Sequence, residues 1–177
     1  STAILQKALD QPPASGQFNY RSVLGMSMYL ACSTRPDCAF AVNQCARFSH
    51  NPRKLHEAAI KQIGKYLRSS MNKGIVIKRQ QRAQLNCYVD ADFAGMWGSE
   101  DKQDSNSVKS RTGFIIMLGN MPIVWKSRLQ SKIALSTQEA EYVALSPAMR
   151  TLLPLRLLSQ ELYGAYGIDC SKTTKVS

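Results

Sequence analysis

Around Asn72-Lys73-Gly74 the hydrophobic pattern of this chain changes period, from steps of three and four residues before that point to steps of two after it. A side chain returns to one side of a helix about every 3.6 residues and to one side of a strand at every second residue. A chain with such a switch builds helices first and a sheet second. Before the switch, Tyr20, Val23, Leu24, Met28 and Ala31 mark a first helix, broken by Ser33-Thr34-Arg35-Pro36-Asp37. Pro36 suits the first turn of a second helix, whose stripe is Cys38, Ala41, Val42, Cys45 and Phe48, ended by Asn51-Pro52. A third helix is expected over 53–69 with Leu55, Ala59, Ile63, Tyr66 and Leu67 on its apolar side. Ahead of all three, Gln11-Pro12-Pro13-Ala14-Ser15-Gly16-Gln17 has linker composition, so residues 1–19 read as a linker and order begins near Phe18.

After the switch, residues 74–77 and 85–90 read as strands, with Leu85, Cys87 and Val89 on one face and Asn86, Tyr88 and Asp90 on the other. A polar stretch over 96–111 separates them from 113–118 and 122–126, which flank Gly119-Asn120. Glycine at the first central position suits a two-residue type II′ hairpin. Residues 130–135 read as a continuation of the sheet. Ser136-Thr137-Gln138-Glu139 has the pattern of a capping box and opens a helix that carries Glu141. Pro147 and Pro154 interrupt the helical pattern beyond Glu141, which predicts a separate Leu-rich helix over 151–163.

No apolar run approaches the roughly 20 residues that span a bilayer, so no membrane is expected among the partners. The first residues hold neither an initiator Met nor a basic stretch leading into an apolar one, as in an excised or processed piece. The five cysteines, Cys32, Cys38, Cys45, Cys87 and Cys170, form no C-x-x-C pair and read as reduced core residues of an intracellular protein.

The net charge of +11 is unevenly placed. Residues 1–80 carry twelve Lys and Arg against three acids, a balance of +9, whereas 81–177 carry eleven against nine, a balance of +2. Within the basic half, Lys54, Lys61, Lys65 and Arg68 line one side of the third helix. A row of that kind can track a phosphate backbone through counterion release; it can equally be a solvated face or meet an acidic partner.

The sharpest chemical signal is Tyr88-Val89-Asp90-Ala91-Asp92-Phe93-Ala94-Gly95 at a strand end, with Ser136-Thr137-Gln138-Glu139-Ala140-Glu141-Tyr142 later at a helix start. A strand-borne Asp and a helix-borne Glu can share Mg²⁺, which takes hard carboxylate oxygens and in pairs supports phosphodiester hydrolysis. From spacing alone this is a weak signal, because Asp and Glu at element ends are usually caps or solvated charges.

Ordered blocks along the chain sharpen this. Tyr20-Arg21-Ser22-Val23-Leu24-Gly25, Thr34-Arg35-Pro36-Asp37, Ala39-Phe40-Ala41-Val42, Arg47-Phe48, Lys65-Tyr66-Leu67, Asp90-Ala91-Asp92, Lys109-Ser110-Arg111-Thr112-Gly113-Phe114, Trp125-Lys126-Ser127, Gln130 and Ala134 to Tyr142 together resemble copia-type retrotransposon polyproteins. The resemblance implies an α/β (α+β) fold. Its parts are a helical segment over 20–72, like the thumb or connection of a reverse transcriptase, and a partial RNase H-like mixed sheet with helices over 73–177. It matches Asp90 to the first catalytic aspartate and Glu141 to the catalytic glutamate, both ligands of Mg²⁺, and gives Asp92 no ligand role. It implies RNA–DNA hybrid or other nucleic acid as partner, and a setting in the cytoplasm, a retroelement particle or the nucleus.

The chain also departs from that family. It has no Tyr-x-Asp-Asp polymerase motif, and a strand bearing a third metal-binding aspartate is not recognisable before Ser177, since Asp169 does not sit in the Asp-Asn pattern. The expectation is therefore weak Mg²⁺ binding, no activity from this chain by itself, and an open sheet edge that a protein partner could complete. Three readings remain open. One is a fragment of an RNase H that acts only in the complete domain. Another is a non-catalytic domesticated remnant with a structural or nucleic-acid-binding role, and the third is an unrelated binding module.

Overall fold

The computed structural model describes residues 5–8, 10–77, 84–95, 106–166 and 174–176. Cys170, Asp169 and most of the polar stretch over 96–111 lie outside the described residues. The chain divides into two units, Ser1–Ile75 with Met96–Val108 and Val76–Gly95 with Lys109–Ser177. The class is the one read from the pattern switch: helices, then a mixed sheet backed by a helix, an arrangement consistent with a partial RNase H-like fold.

The helical unit holds α1 (Tyr20–Ser33), a 3₁₀ turn (Pro36–Cys38), α2 (Ala39–Ala46) and α3 (Lys54–Ser69). Asn19 caps α1 by accepting the Ser22 N–H. The buried stripe of α1 is Tyr20, Leu24, Ser27 and Ala31, while the expected Met28 faces out. Cys32, expected in the core, is exposed because it sits one residue past that stripe. Ser27 tolerates burial because its hydroxyl donates to the Val23 carbonyl one turn back. Cys38, Val42, Cys45 and Phe48 are buried as expected, and the Tyr20 hydroxyl donates to the Cys45 carbonyl at 2.9 Å.

In α3 the buried stripe is offset by one residue from the expected one. His56, Ile60 and Ile63 are buried, Leu55 and Ala59 are half-buried, and Tyr66 is exposed. The cause is His56. Its Nδ1 accepts the Arg53 N–H at 2.9 Å, so Nε2 holds the proton and donates to the Gln6 carbonyl at 2.7 Å, and its ring stacks on Phe48 at 4.0 Å. A neutral imidazole satisfied at both nitrogens packs like an aromatic hydrocarbon, and counting His as polar hides that. The linker-like residues ahead of α1 are docked here as well. Lys54 N–H donates to the Pro12 carbonyl, Ala14 N–H to Pro52, and Ser15 donates to the Glu57 carboxylate through both its amide and its hydroxyl.

The second unit is a four-stranded sheet in the order β3-β2-β1-β4, with β1 Leu85–Asp92, β2 Arg111–Leu118, β3 Met121–Leu129 and β4 Thr174–Val176. The first three strands are antiparallel and β4 runs parallel to β1. The hairpin is the expected two-residue one: Gly119 has φ +60°, and Asn120 is not among the described non-glycine residues of positive φ, as type II′ requires. Pro122 sits on β3, an edge strand, next to a register shift, a kind of place where a residue without an N–H is tolerated. Leu85, Cys87, Phe114 and Ile116 meet Ala148 and Leu152 of α4 (Thr137–Ala165) to form the core.

Three expectations for this half of the chain are corrected. Residues 74–77 are irregular rather than a strand, with Val76 and Ile77 exposed. Along Leu85 to Cys87 both sides of β1 are already taken, by β2 and β4. Residues 130–135 leave the sheet, because Gln130 is drawn to α4 instead of continuing β3. Finally, α4 runs unbroken through Pro147 and Pro154. A mid-helix proline costs about 3 kcal/mol, and the buried Ala140, Ala144, Ala148 and Leu152, with Leu155 packed beside them, offset it.

Candidate functional site

The two matched carboxylates sit on elements that pack together. Burial alternates along β1, with Leu85, Cys87 and Val89 in or against the core and Tyr88, Asp90 and Asp92 exposed. Asp90 therefore emerges from β1 on the side away from α4, where its cross-strand neighbour is Gly113. A glycine there leaves the space beside the carboxylate open. Glu141 is exposed, four residues into α4. Alternation along β1 thus gives no direct approach of the two carboxylates through the packed face.

The start of α4 is fixed by its cap. Ser136 Oγ accepts the Glu139 N–H at 3.1 Å, while Glu139 Oε2 accepts the N–H of Leu135 at 2.7 Å, one residue further back than a capping box predicts. Gln130, quoted in the sequence but given no role there, ties this helix start to the sheet. It is 4% exposed, and its Nε2 donates to Thr112 Oγ1 at 3.1 Å and to the Ala140 carbonyl at 2.9 Å. Thr112 is the register partner of Ala91, so the link joins the β2 residue that faces the neighbour of Asp90 to the neighbour of Glu141. A buried polar residue between a strand end and a helix start is the signal that marks it, and that signal exists only in three dimensions.

Asp92 has a local job. A Cβ on Gly95 would collide with the Asp92 carboxylate, which folds over the turn that ends β1. Ala94 in that turn has φ +46° and donates its N–H to Ser110 Oγ at 3.3 Å. The open edge expected beside β1 is partly filled: β4 pairs with Leu85, Asn86 and Cys87 only.

The donor set suits Mg²⁺ in kind, being hard and water-exposed, and that ion is commonly held by one or two carboxylates plus substrate phosphates. Among the described residues no three His, Cys, Asp or Glu side chains gather into a metal-binding group.

The basic row on α3 is exposed at Lys54, Lys61, Lys65 and Arg68. Lys61 is engaged, with Nζ 3.0 Å from Gln17 Oε1 and 3.4 Å from Glu57 Oε1. Arg68 lines a groove of about 510 Å³ together with Leu30, Leu67 and Met71. Beneath the row, Arg35 is clamped by Asp37, the Ser70 hydroxyl and the Ser70 carbonyl. That clamp, with the Tyr66 hydroxyl, holds the Asp37 carboxyl down at about 2. This part of Thr34-Arg35-Pro36-Asp37 is structural. Among the described residues no helix is long and apolar enough to cross a membrane.

No family model and no solved structure matches the chain. Individual proteins do. It is 40% identical over 123 residues to the retrovirus-related Pol polyprotein from transposon RE1 of Arabidopsis thaliana, covering 70% of this chain and 8% of that protein. It is 38% identical over 143 residues to the corresponding polyprotein from transposon TNT 1-94 of Nicotiana tabacum, covering 81% and 10%. The chain thus spans a tenth or less of the length of these polyproteins. A third relative, the secreted RxLR effector protein 161 of Plasmopara viticola, is 35% identical over 145 residues and is covered over 96% of its length.

Proposed function

The chain belongs to the retrovirus-related Pol polyproteins of copia-type transposons, and from that membership we propose that it carries part of a site for hydrolysing the RNA strand of RNA–DNA hybrids. The observation that supports this reading most is the pairing of position and openness. Asp90 is exposed near the end of β1 beside a glycine, and Glu141 is exposed at the start of the helix packed on that strand.

In this reading Asp90 and Glu141 hold Mg²⁺, which when bound supplies Lewis acidity toward the scissile phosphate. The chain's own contribution is placement. The Ser136 cap fixes where α4 begins, Gly113 leaves room for the hybrid's backbone beside Asp90, and the basic row on α3 contributes phosphate contacts. Two carboxylates with water in the remaining positions bind Mg²⁺ weakly, so the chain by itself is expected to be inert, with cleavage belonging to the complete domain. A second reading, a non-catalytic remnant with a structural or nucleic-acid-binding role, is favoured by the +9 balance of residues 1–80.

A cleavage assay separates the two. The 177-residue chain with Mg²⁺ and a labelled hybrid is expected to give no product. The same chain fused to the segment immediately downstream of the matched region in the transposon RE1 polyprotein is expected to cleave, and to stop on Asp90→Asn. An inert fusion would leave the non-catalytic reading standing. Robust cleavage by the unfused chain, lost on Asp90→Asn, would show that no further ligand is needed.

A further inference from the structure

We propose that Gln130 is the positioning residue of the Asp90–Glu141 pair, a role that rests on the reading of those two carboxylates as joint ligands of a divalent cation. The side chain is 4% exposed and bonds to two different elements through one nitrogen. Its orientation is fixed by chemistry: the Ala140 carbonyl can only accept, so the amide NH₂ must face it. The remaining N–H of that group goes to Thr112 Oγ1.

Thr112 stands opposite Ala91, and Ala140 precedes Glu141. Glu141 is therefore the chain neighbour of one end of this link, and Asp90 is the chain neighbour of the residue paired with the other end. One amide nitrogen bonded to both elements restrains the spacing between the β2 position that faces Ala91 and the start of α4, and does so directionally, as apolar packing does not. The arrangement also carries a cost. Gln130 Oε1 is buried without a hydrogen-bond partner, and an apolar side chain of the same shape would avoid that. Against that cost Gln130 bonds the buried Thr112 hydroxyl and the Ala140 carbonyl, and in doing so it holds the strand beside β1 in register with the helix that carries Glu141.

The test uses amide NMR of the full chain with Mn²⁺, whose paramagnetism broadens nearby amides even at low occupancy. In the unaltered chain, amides around both Asp90 and Glu141 are expected to broaden, and Asp90→Asn is expected to abolish this. In Gln130→Met, a near match in shape, apparent Mn²⁺ affinity is expected to fall about tenfold or more, in line with loss of an orienting partner behind a ligand. Residual broadening should stay near Asp90 and leave Glu141. Thr112→Val, which removes only the strand-side bond, should shift the balance in the same direction and decides the matter if Gln130→Met fails to fold. Absence of broadening at both carboxylates in the unaltered chain would remove the shared-cation reading and this inference with it. Broadening at both in the unaltered chain, with both variants behaving identically to it, would keep the pair and overturn the role of Gln130.

Discussion

At the scale of single residues, His56 makes the clearest commitment. Burial pushes its imidazole below the ordinary value, the Gln6 carbonyl opposes that in part, and the Arg53 and Arg47 charges reinforce it. In the unfolded chain the ring protonates near pH 6.5, whereas folded it resists, so the unfolded state binds the proton more strongly. Stability is then full above about pH 6.5 and is lost as pH falls from there toward the depressed folded value. Asp37 acts lower on the scale. Its carboxyl is held at about 2 against an ordinary 3.8, so its contribution is present above that ordinary value and is lost as pH falls toward 2. Urea unfolding of the helical unit, monitored by amide NMR across pH, should show two declines, one starting near pH 6.5 and one starting near pH 4. His56→Phe keeps the ring against Phe48 but strands the Arg53 N–H and Gln6 carbonyl, at a cost of about 1–3 kcal/mol. It should erase the first decline and leave the second. A first decline that persisted in His56→Phe would show that His56 is not its source.

At the scale of elements, α4 separates what proline does locally from what a packed stripe can override. Pro154 is exposed, and it removes the N–H that would bond to the Arg150 carbonyl. Pro154→Ala should restore that bond and stabilise the second unit by about 1–3 kcal/mol, somewhat less than the full propensity difference because alanine loosens the unfolded chain. A raised urea midpoint with an unchanged slope would bear this out; a lowered midpoint would mean that the ring itself packs. The same contrast explains which elements could be read from the sequence. The Ser136 cap and the Gly119 hairpin are local devices, decided by a few neighbouring residues, and both are found. The expected break at Pro147, the strand over 74–77 and the apolar side of α3 each depended on what packs against them. In those cases the deciding facts were an alanine stripe on a sheet, a β1 already flanked on both sides along Leu85 to Cys87, and a histidine satisfied at both nitrogens. The candidate site divides similarly. Asp90 and Glu141 stand out in ordered motifs, but the Gln130 link between residues 18 and 10 positions apart in the chain does not.

At the scale of the whole molecule, the uneven charge turns the proposed nucleic-acid contact into a number. Each phosphate neutralised contributes roughly −0.9 to the slope of log affinity against log salt. Four cations on α3 would give about −3.6 by that rule. Lys61, however, is already engaged by Glu57, whose carboxylate is buried and also accepts from Ser15. Recruiting Lys61 to a phosphate would leave that buried carboxylate less compensated, which disfavours the exchange. Lys54, Lys65 and Arg68 are exposed and are the better donors, which puts the expected slope near −2.7 by the same rule, roughly three contacts' worth. Fluorescence anisotropy of the full chain with a hybrid duplex, titrated across salt, measures it directly. Lys65→Glu or Arg68→Glu should each weaken binding and flatten the slope by about 0.9 or more, with little dependence on base sequence because backbone contacts carry none. Lys61→Glu should weaken binding through added negative charge while changing the slope less than the other two. A slope that stayed the same in all three variants would mean that the row is a solvated face and that the +9 balance of residues 1–80 serves another partner.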